Sequence, residues 1–154
     1  MRCAPIRRFC IGGWGSSMTE KTYVLEDQIG FKLRLANQRH LELFNARLAE
    51  VTPMQFSAMV RLGEHGVLSQ NHLGRLVAMD AATTKGVVDR LRTKGFVDTR
   101  PSETDRRRFD VTLTAEGQAY VAAALPVARQ ISAATTRNLT AREAAQLAAL
   151  LDKM

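Results

Sequence analysis

Basic side chains are concentrated in one short stretch of this sequence, from Lys85 to Arg108. The stretch holds eight Lys and Arg residues and four Asp and Glu residues, which leaves a formal charge of +4. Guanidinium and ammonium groups gathered in this way attract phosphate, so a nucleic-acid duplex is the natural ligand for such a surface. The whole chain of 154 residues carries a net charge of +7, although charge alone does not establish a polyanionic partner.

The local pattern predicts how these charges are positioned. Asp80 is a favoured N-cap residue, the apolar residues after it recur at helical spacing, and Gly95 is a typical helix stop. Residues 96–100 and 109–113 have the composition of strands, and the charged segment 101–108 separates them. The sequence therefore predicts a basic helix followed by a β-hairpin with a charged loop.

Two further helices are predicted before the basic helix. Thr52 and Pro53 mark the start of one, which ends near residues 63–66, because Thr caps helices and Pro is tolerated in the first turn. After an extended link at 67–68, Ser69 caps a short helix that a brief turn joins to the basic helix. Two tightly joined helices followed by a hairpin predict a winged helix-turn-helix, in a mainly α fold with a small β-hairpin wing.

Longer helices flank this unit. Residues 24–49 lack proline and show two apolar stripes at helical spacing. Thr114 is predicted to start another helix, which Pro126 should kink or interrupt, and Thr140 with Glu143 forms a capping box before a last helix. Because each flanking helix keeps an apolar face that the small unit cannot cover, we expect these helices to form a homodimer.

The residues predicted to contact duplex DNA lie on the helix-turn-helix and the wing. The first turns of the basic helix present Thr83 and Lys85 away from its apolar face, toward the major groove. The arginines of the wing loop suit a narrow minor groove, and Asp105 beside them is expected to orient Arg90. The alternative is a solvated helix with ordinary polar residues. The full predicted set is Ser69, Gln70, Asn71, Thr83, Thr84, Lys85, Arg90, Asp105, Arg106 and Arg107.

His40 is the other residue with possible chemistry, because it falls on the main apolar stripe of the first predicted helix. One interpretation is a partly buried, hydrogen-bonded histidine at a helix interface, with the neighbouring arginines solvated or paired across a dimer. The other is a pocket in which arginine and histidine bind the carboxylate of a small ligand above an apolar wall. The predicted pocket residues are Arg34, Gln38, Arg39, His40, Phe44 and Met59.

Several classes of protein lack support in the sequence. Walker A, HExxH and GxSxG motifs are missing, so no catalytic residues are assigned and an enzyme is not expected. His65 and His72 have no cysteine or paired carboxylates at ligand spacing, so we expect no metal site and no cofactor. No run approaches the roughly 18 apolar residues of a membrane span, which predicts a cytoplasmic protein with no membrane partner.

Both cysteines lie near the N-terminus, in a segment without periodicity. Residues 1–18 are interpreted as a disordered extension or a misassigned start upstream of Met18. A cysteine redox switch would need an ordered, basic environment for a thiol, and nothing around these residues suggests one.

From about Val24 to its end, the sequence resembles transcriptional regulators of the MarR family. Three segments carry the resemblance: LSQNHLGRL at 68–76, the basic helix from Thr83 to Leu91 with the following KGFV, and DRR at 105–107 leading into VTLT and Gly117. The resemblance implies a homodimer on a pseudo-palindromic operator, with Asp105 and Arg107 matching the Asp and Arg of the family's wing. Gly86 departs from the family, which often has a long polar residue there.

The resemblance also defines the expected organisation and ligand. It implies one MarR-like domain at 19–154, with dimerisation helices at 24–49 and 115–154 and a DNA-binding lobe at 52–114. The phrase YVLEDQIGFKLRLANQRH is similar to family members that control the degradation of aromatic acids or their CoA thioesters. The prediction is a repressor of aromatic catabolism that such an effector releases. The alternatives are a ligand-independent architectural nucleic-acid-binding protein and a protein-interaction module.

Overall fold

A computed structural model describes residues 23–102 and 108–154, and this part of the chain folds into α-helices and one small antiparallel sheet. The predicted fold class, mainly α with a β-hairpin wing, is confirmed. In chain order the elements are α1 (Ile29–Asn45), α2 (Pro53–His65), β1 (Leu68–Ser69), α3 (Gln70–Leu76), α4 (Ala81–Thr93), β2 (Val97–Pro101), β3 (Phe109–Leu113), α5 (Ala115–Thr135) and α6 (Ala141–Leu151).

The first helix is shorter at both ends than the predicted span of 24–49. A separate 3-10 turn, Leu25–Asp27, precedes α1, and the extended backbone of Gln28, with ψ of 130°, divides the two. Beyond α1 the chain turns, yet Leu48 and Val51 are buried in the core. Helical spacing of apolar residues therefore continued past the helix, because a turn that packs on the core also needs apolar side chains.

Most helix starts follow the predicted capping chemistry. The Thr52 hydroxyl accepts the Gln55 N–H at 3.2 Å, and the Gln55 side chain accepts the Thr52 N–H at 3.0 Å. The Asp80 carboxylate accepts the Thr83 N–H at 2.7 Å at the start of α4. Each bond satisfies a backbone donor that the helix itself leaves without a partner. The predicted caps at Ser69, Thr114 and Thr140 are also formed.

The helix-turn-helix depends on a close approach of α3 to α4. A β-carbon on Gly74 of α3 would lie only 2.6 Å from the Thr84 hydroxyl, so only glycine fits there. Between the two helices Ala78 has a φ of 52°, the left-handed conformation that closes the predicted turn. Behind the motif, fully buried Met59, Leu62, Leu73, Leu91 and Val111 fill the core.

The sheet joins the wing to the helix-turn-helix. Its strand order is β1-β3-β2, and β2 and β3 form the predicted hairpin. The predicted extended link at 67–68 overlaps the strand β1, which lies one residue later, since Leu68 pairs with Val111 and Ser69 with Asp110. Val97 pairs with Leu113 at the base of the hairpin. The start of α3 is therefore hydrogen-bonded to the same strand as the segment that follows α4.

The flanking helices leave apolar surface uncovered. α5 continues through Pro126 as one helix, so of the predicted kink or interruption the interruption does not occur, and α5 packs along α1. α6 has no buried residue. Exposed large apolar residues on this surface include Ile29, Leu33, Leu125, Leu147, Leu150 and Leu151. No helix in the described ranges is both long enough and apolar enough to cross a membrane.

Candidate nucleic-acid interface

Helix α4 has one buried face and one open face. Val87, Val88 and Leu91 are at most 2% exposed and turn toward the core. Their helical spacing directs Lys85, Gly86 and Arg90 outward, and Thr83 is half-exposed beside them. The open face therefore carries three of the predicted contacts of this helix, Thr83, Lys85 and Arg90, as a helix that enters a major groove requires.

Charged side chains on α4 form a local network. Lys85 Nζ lies 2.8 Å from Asp89 Oδ2, and Arg92 Nη2 lies 3.8 Å from Asp89 Oδ1. The hydrogen bond from Lys85 lowers the pKa of the Asp89 carboxyl below its usual value. Because exposed pairs of this kind are weak, Lys85 is able to exchange Asp89 for a phosphate at little cost.

Thr84 corrects the predicted set of DNA contacts. Its side chain is 1% exposed, and its hydroxyl donates to the Asp80 carbonyl oxygen at 2.7 Å. The same hydroxyl faces Gly74 across the helix-turn-helix. Thr84 therefore holds α3 and α4 together and is not available to DNA. The preceding threonine, Thr83, has the same chemistry but lies on the open side of the helix.

A small cleft lies where the start of α3 meets the wing. It has a volume of about 120 Å³, and its polar wall comes from three residues that the sequence predicted as phosphate contacts. Arg108 and Phe109 form the opposite side, and both are exposed. Phe109 was not predicted as a contact, and Arg108 was predicted only as one of the wing arginines, because the pairing of β1 with β3 that brings them to this cleft joins segments about 40 residues apart. The lining residues are Ser69, Gln70, Asn71, Arg108 and Phe109.

The wing is described up to the base of its loop. The Ser102 N–H donates to the Arg108 carbonyl oxygen at 2.9 Å and closes the hairpin. On β2, Arg100 Nε lies 3.2 Å from Asp98 Oδ2. The predicted loop contacts Asp105, Arg106 and Arg107 lie outside the described residues, so their roles stay predictions.

His40 joins α1 to α5. Its Nδ1 lies 3.0 Å from the Thr135 hydroxyl oxygen, and that hydroxyl donates its own hydrogen to the Ile131 carbonyl at 2.8 Å. A hydroxyl has one hydrogen, so when Thr135 gives it to Ile131 it accepts from the His40 tautomer that carries its proton on Nδ1. This is the hydrogen-bonded helix-interface histidine of the first interpretation. In that tautomer Nε2 has a lone pair that can accept from another group.

The other predicted pocket residues divide into a surface group and a core group. Phe44 and Met59 are 3% and 0% exposed, so the structure places them in the core rather than on an open pocket wall. Arg34 is exposed, with its guanidinium carbon 5.1 Å above the Phe31 ring and Nη1 3.3 Å from Gln38 Oε1. Arg39 is half-buried beside His40. Among the described residues, no cluster of three or more His, Cys, Asp or Glu side chains is placed to hold a metal ion.

Comparison with known proteins gives one consistent family. The model of the MarR family matches residues 51–109. The HTH-type transcriptional repressor NicR of Pseudomonas putida is 38% identical over 134 residues, which cover 86% of this chain and 85% of NicR.

Two solved structures share the fold over most of their length. A probable transcriptional regulator from Pseudomonas aeruginosa has a TM-score of 0.81 and 45% identity, covering 84% of this chain and 98% of its own. BpsR of Bordetella bronchiseptica, whose DNA binding is regulated by 6-hydroxynicotinic acid, has a TM-score of 0.81 and 34% identity, covering 86% of this chain and 96% of its own.

Proposed function

Because this chain belongs to the MarR family of transcriptional regulators, we propose that it represses transcription by binding a specific pseudo-palindromic operator as a homodimer. A small aromatic acid or its CoA thioester then releases it from DNA. One observation carries the proposal. β3 pairs with β1, which precedes α3, and with β2, which follows α4, so the sheet connects two polar, cationic surfaces: the cleft at the start of α3 and the open face of α4.

The DNA-binding step follows from the chemistry of these surfaces. α4 enters the major groove with Thr83, Lys85 and Arg90 toward the base edges and adjacent phosphates. The cleft residues Asn71 and Arg108 bind the sugar-phosphate backbone beside the groove, which fixes the position of α4 without reading sequence. The arginines of the wing loop extend the contact into the neighbouring minor groove.

Dimerisation follows from the apolar surface of the flanking helices. α6 buries none of its residues within the chain, although Leu147, Leu150 and Leu151 form one apolar side of it. A contiguous surface of this kind is stabilised by a second copy, because burial of each large apolar side chain contributes about 1.5–3 kcal/mol. Two copies present two α4 helices, which matches a two-fold symmetric operator.

The effector site is proposed around His40, where α1 contacts α5. In the tautomer that donates Nδ1–H to Thr135, His40 accepts a hydrogen bond at Nε2 from a ligand O–H or N–H group. Arg34, Gln38 and Arg39 supply donors for a carboxylate from the same helix. A related protein supports this class of ligand, since 6-hydroxynicotinic acid, a hydroxylated aromatic acid, regulates DNA binding by BpsR.

Release is a shift between two populations of the dimer. The effector must bind more tightly to a spacing of the two lobes that does not fit the operator than to the spacing that does. A ligand with equal affinity for both spacings would leave DNA binding unchanged, however tightly it bound.

Fluorescence anisotropy tests the proposal directly. DNA duplexes from the region upstream of the protein's own gene are compared with scrambled duplexes at two salt concentrations. A specific regulator should bind its own region about 10³-fold more tightly than scrambled DNA. Equal and equally salt-sensitive binding to both would instead favour an architectural nucleic-acid-binding protein. Absence of salt-dependent binding would indicate a protein-interaction module.

A further inference from the structure

The guanidinium of Arg90 lies over Gly86, one turn earlier on α4. A β-carbon on residue 86 would be 3.3 Å from Arg90 Nη1, 3.6 Å from Nη2 and 3.8 Å from Cζ. Arg90 therefore occupies, with its charged end, the space beside the helix where a side chain from position 86 would stand.

Helix geometry explains the position. Residues four apart lie on the same face, and side chains lean toward the helix N-terminus. Arg90 is in the third turn of α4, but its guanidinium is carried back by about one turn, or roughly 5 Å. The charge is thereby delivered nearer to the N-terminal end of the helix, which is the end that reaches bases in a helix-turn-helix.

Arg90 differs from the other cations of α4 in its partners. Lys85 and Arg92 are both turned toward Asp89, and Arg92 also donates to Thr99 Oγ1 at 3.4 Å. The Arg90 side chain is exposed, and among the described residues its guanidinium takes no part in the ion pairs that hold Lys85 and Arg92. Its planar set of donors is presented to the solvent side of the helix.

We propose that Arg90 is the specificity-determining residue of α4, and that Gly86 permits this by leaving open the space the guanidinium occupies. The inference rests on the proposed function, since it needs an operator to read. A planar guanidinium matches the O6 and N7 acceptors of guanine with two parallel hydrogen bonds, and an ammonium group cannot reproduce that geometry. The expected target is a G·C pair in each half-site.

Gly86 matters for the space that its missing side chain leaves, not for backbone flexibility. It is inside a regular helix, where glycine is less favourable than alanine by about 1 kcal/mol. An alanine there would make a 3.3 Å contact with Nη1, which displaces the guanidinium by a few tenths of an ångström, and a leucine would displace it fully. Both alanine and leucine have a higher helix propensity than glycine. A reduced preference for the native base pair in these variants would therefore not result from unfolding of α4.

The test measures anisotropy with a panel of operators that each carry one base-pair change. Wild type, Arg90→Lys, Gly86→Leu and the control Arg92→Lys are compared on the panel and on scrambled DNA. Arg90→Lys and Gly86→Leu should each reduce the preference for the native base pair about tenfold or more at one or two positions per half-site. Arg90→Lys keeps the charge, so its affinity for scrambled DNA should stay within about twofold. Arg92→Lys should match wild type throughout.

Two other results would overturn the inference. If Arg90→Lys weakened binding to every duplex equally, the guanidinium would be a phosphate contact only. If the panel profile of Arg90→Lys equalled that of wild type, Arg90 would have no part in reading bases. Both results leave the proposed function intact as long as wild type prefers its operator, whereas a wild type without preference for any duplex overturns the proposed function itself.

Discussion

The carbonyl oxygen of Phe96 lies so close to Gly117 that a β-carbon on residue 117 would be 2.0 Å from it. The contact sits where α5 begins, just after the end of α4. There the Thr114 hydroxyl donates to the Gly95 carbonyl at 2.6 Å and accepts the Gly117 N–H at 3.0 Å. The first turn of the long flanking helix α5 is therefore fixed directly on the segment that ends α4.

Replacement of Gly117 by alanine should destabilise the protein by about 2–4 kcal/mol, because backbone atoms must move to admit the methyl group. Urea denaturation followed by circular dichroism measures the change. Gly63→Ala is the matched control: it is also helical, but its β-carbon would lie 3.6 Å from Leu113 Cδ1, an ordinary contact. That variant should gain up to about 1 kcal/mol. Equal stabilities of the two variants would contradict the close approach.

The adjacent threonines of α4 should separate folding from DNA binding. Thr84→Val removes the hydrogen bond to the Asp80 carbonyl and should cost about 1 kcal/mol of stability, with little change in operator Kd. Thr83→Val also removes an exposed side-chain hydrogen bond to Asp80. It should cost up to about 1 kcal/mol of stability, but it should weaken operator binding. Thermal denaturation and anisotropy on the same samples give both quantities. A Thr84→Val protein that is fully stable yet defective in binding would reverse the assignment.

The start of α4 should respond to acid through Asp80. Hydrogen bonds from Thr83 hold the pKa of the Asp80 carboxyl below its usual 3.8, so the charged form stabilises the folded state. That stability is present in full above the usual pKa and is lost as pH falls through the lower folded value. Asp80→Asn caps without titrating. Tm is measured for wild type and Asp80→Asn at steps from pH 7 to pH 2. The higher Tm of wild type should shrink toward that of Asp80→Asn below about pH 4. A Tm difference that stays constant over this range would contradict a stabilising charge on Asp80.

A charge on the apolar side of α6 should dissociate the dimer. Leu151→Glu places a carboxylate in the proposed interface, where an unpaired charge is costly to bury. Sedimentation velocity should show a monomer, and affinity for the full operator should fall by at least about 100-fold. Ala149→Glu adds the same charge on the opposite side of the helix and should remain dimeric. A dimeric Leu151→Glu protein would place the interface elsewhere.

The response to effector should depend on His40 and on its hydrogen-bond partner. His40→Ala should leave operator Kd unchanged without effector and raise the effector concentration needed for release by about tenfold or more. Thr135→Val removes the acceptor that fixes the ring and should give a smaller change in the same direction. Titration of the protein–operator complex with hydroxylated aromatic acids measures both. An unchanged titration curve for His40→Ala would assign the residue to helix packing alone.

Local chemistry in the sequence predicted much of this fold. The caps at Thr52, Asp80 and Thr140, the stop at Gly95 and the strand 109–113 depend on neighbouring residues, and each is present. Such features are readable because the interacting groups are within a few positions of each other.

The structure differs from the sequence predictions where contacts between distant segments determine it. β1 pairs with a strand about 40 residues later, so neither the third strand nor the cleft with Arg108 and Phe109 was visible. Thr84 turns inward because Gly74 lets α3 approach, and the sequence alone does not show which of two adjacent threonines meets that glycine. Leu48 continued a helical stripe into a turn because the core, not the helix, requires an apolar residue there.

The central strand of the sheet has a mechanical consequence. Since β3 is bonded both to the residues that begin α3 and to the strand that follows α4, a force on the hairpin reaches both helices at once. Each lobe should then turn as a stiff lever, with little bending inside it. In a dimer, a small rotation at the base of such a lever becomes a larger displacement at its tip. Operator half-sites recur at about 34 Å along the duplex, so the tips lose register before either lobe has to deform.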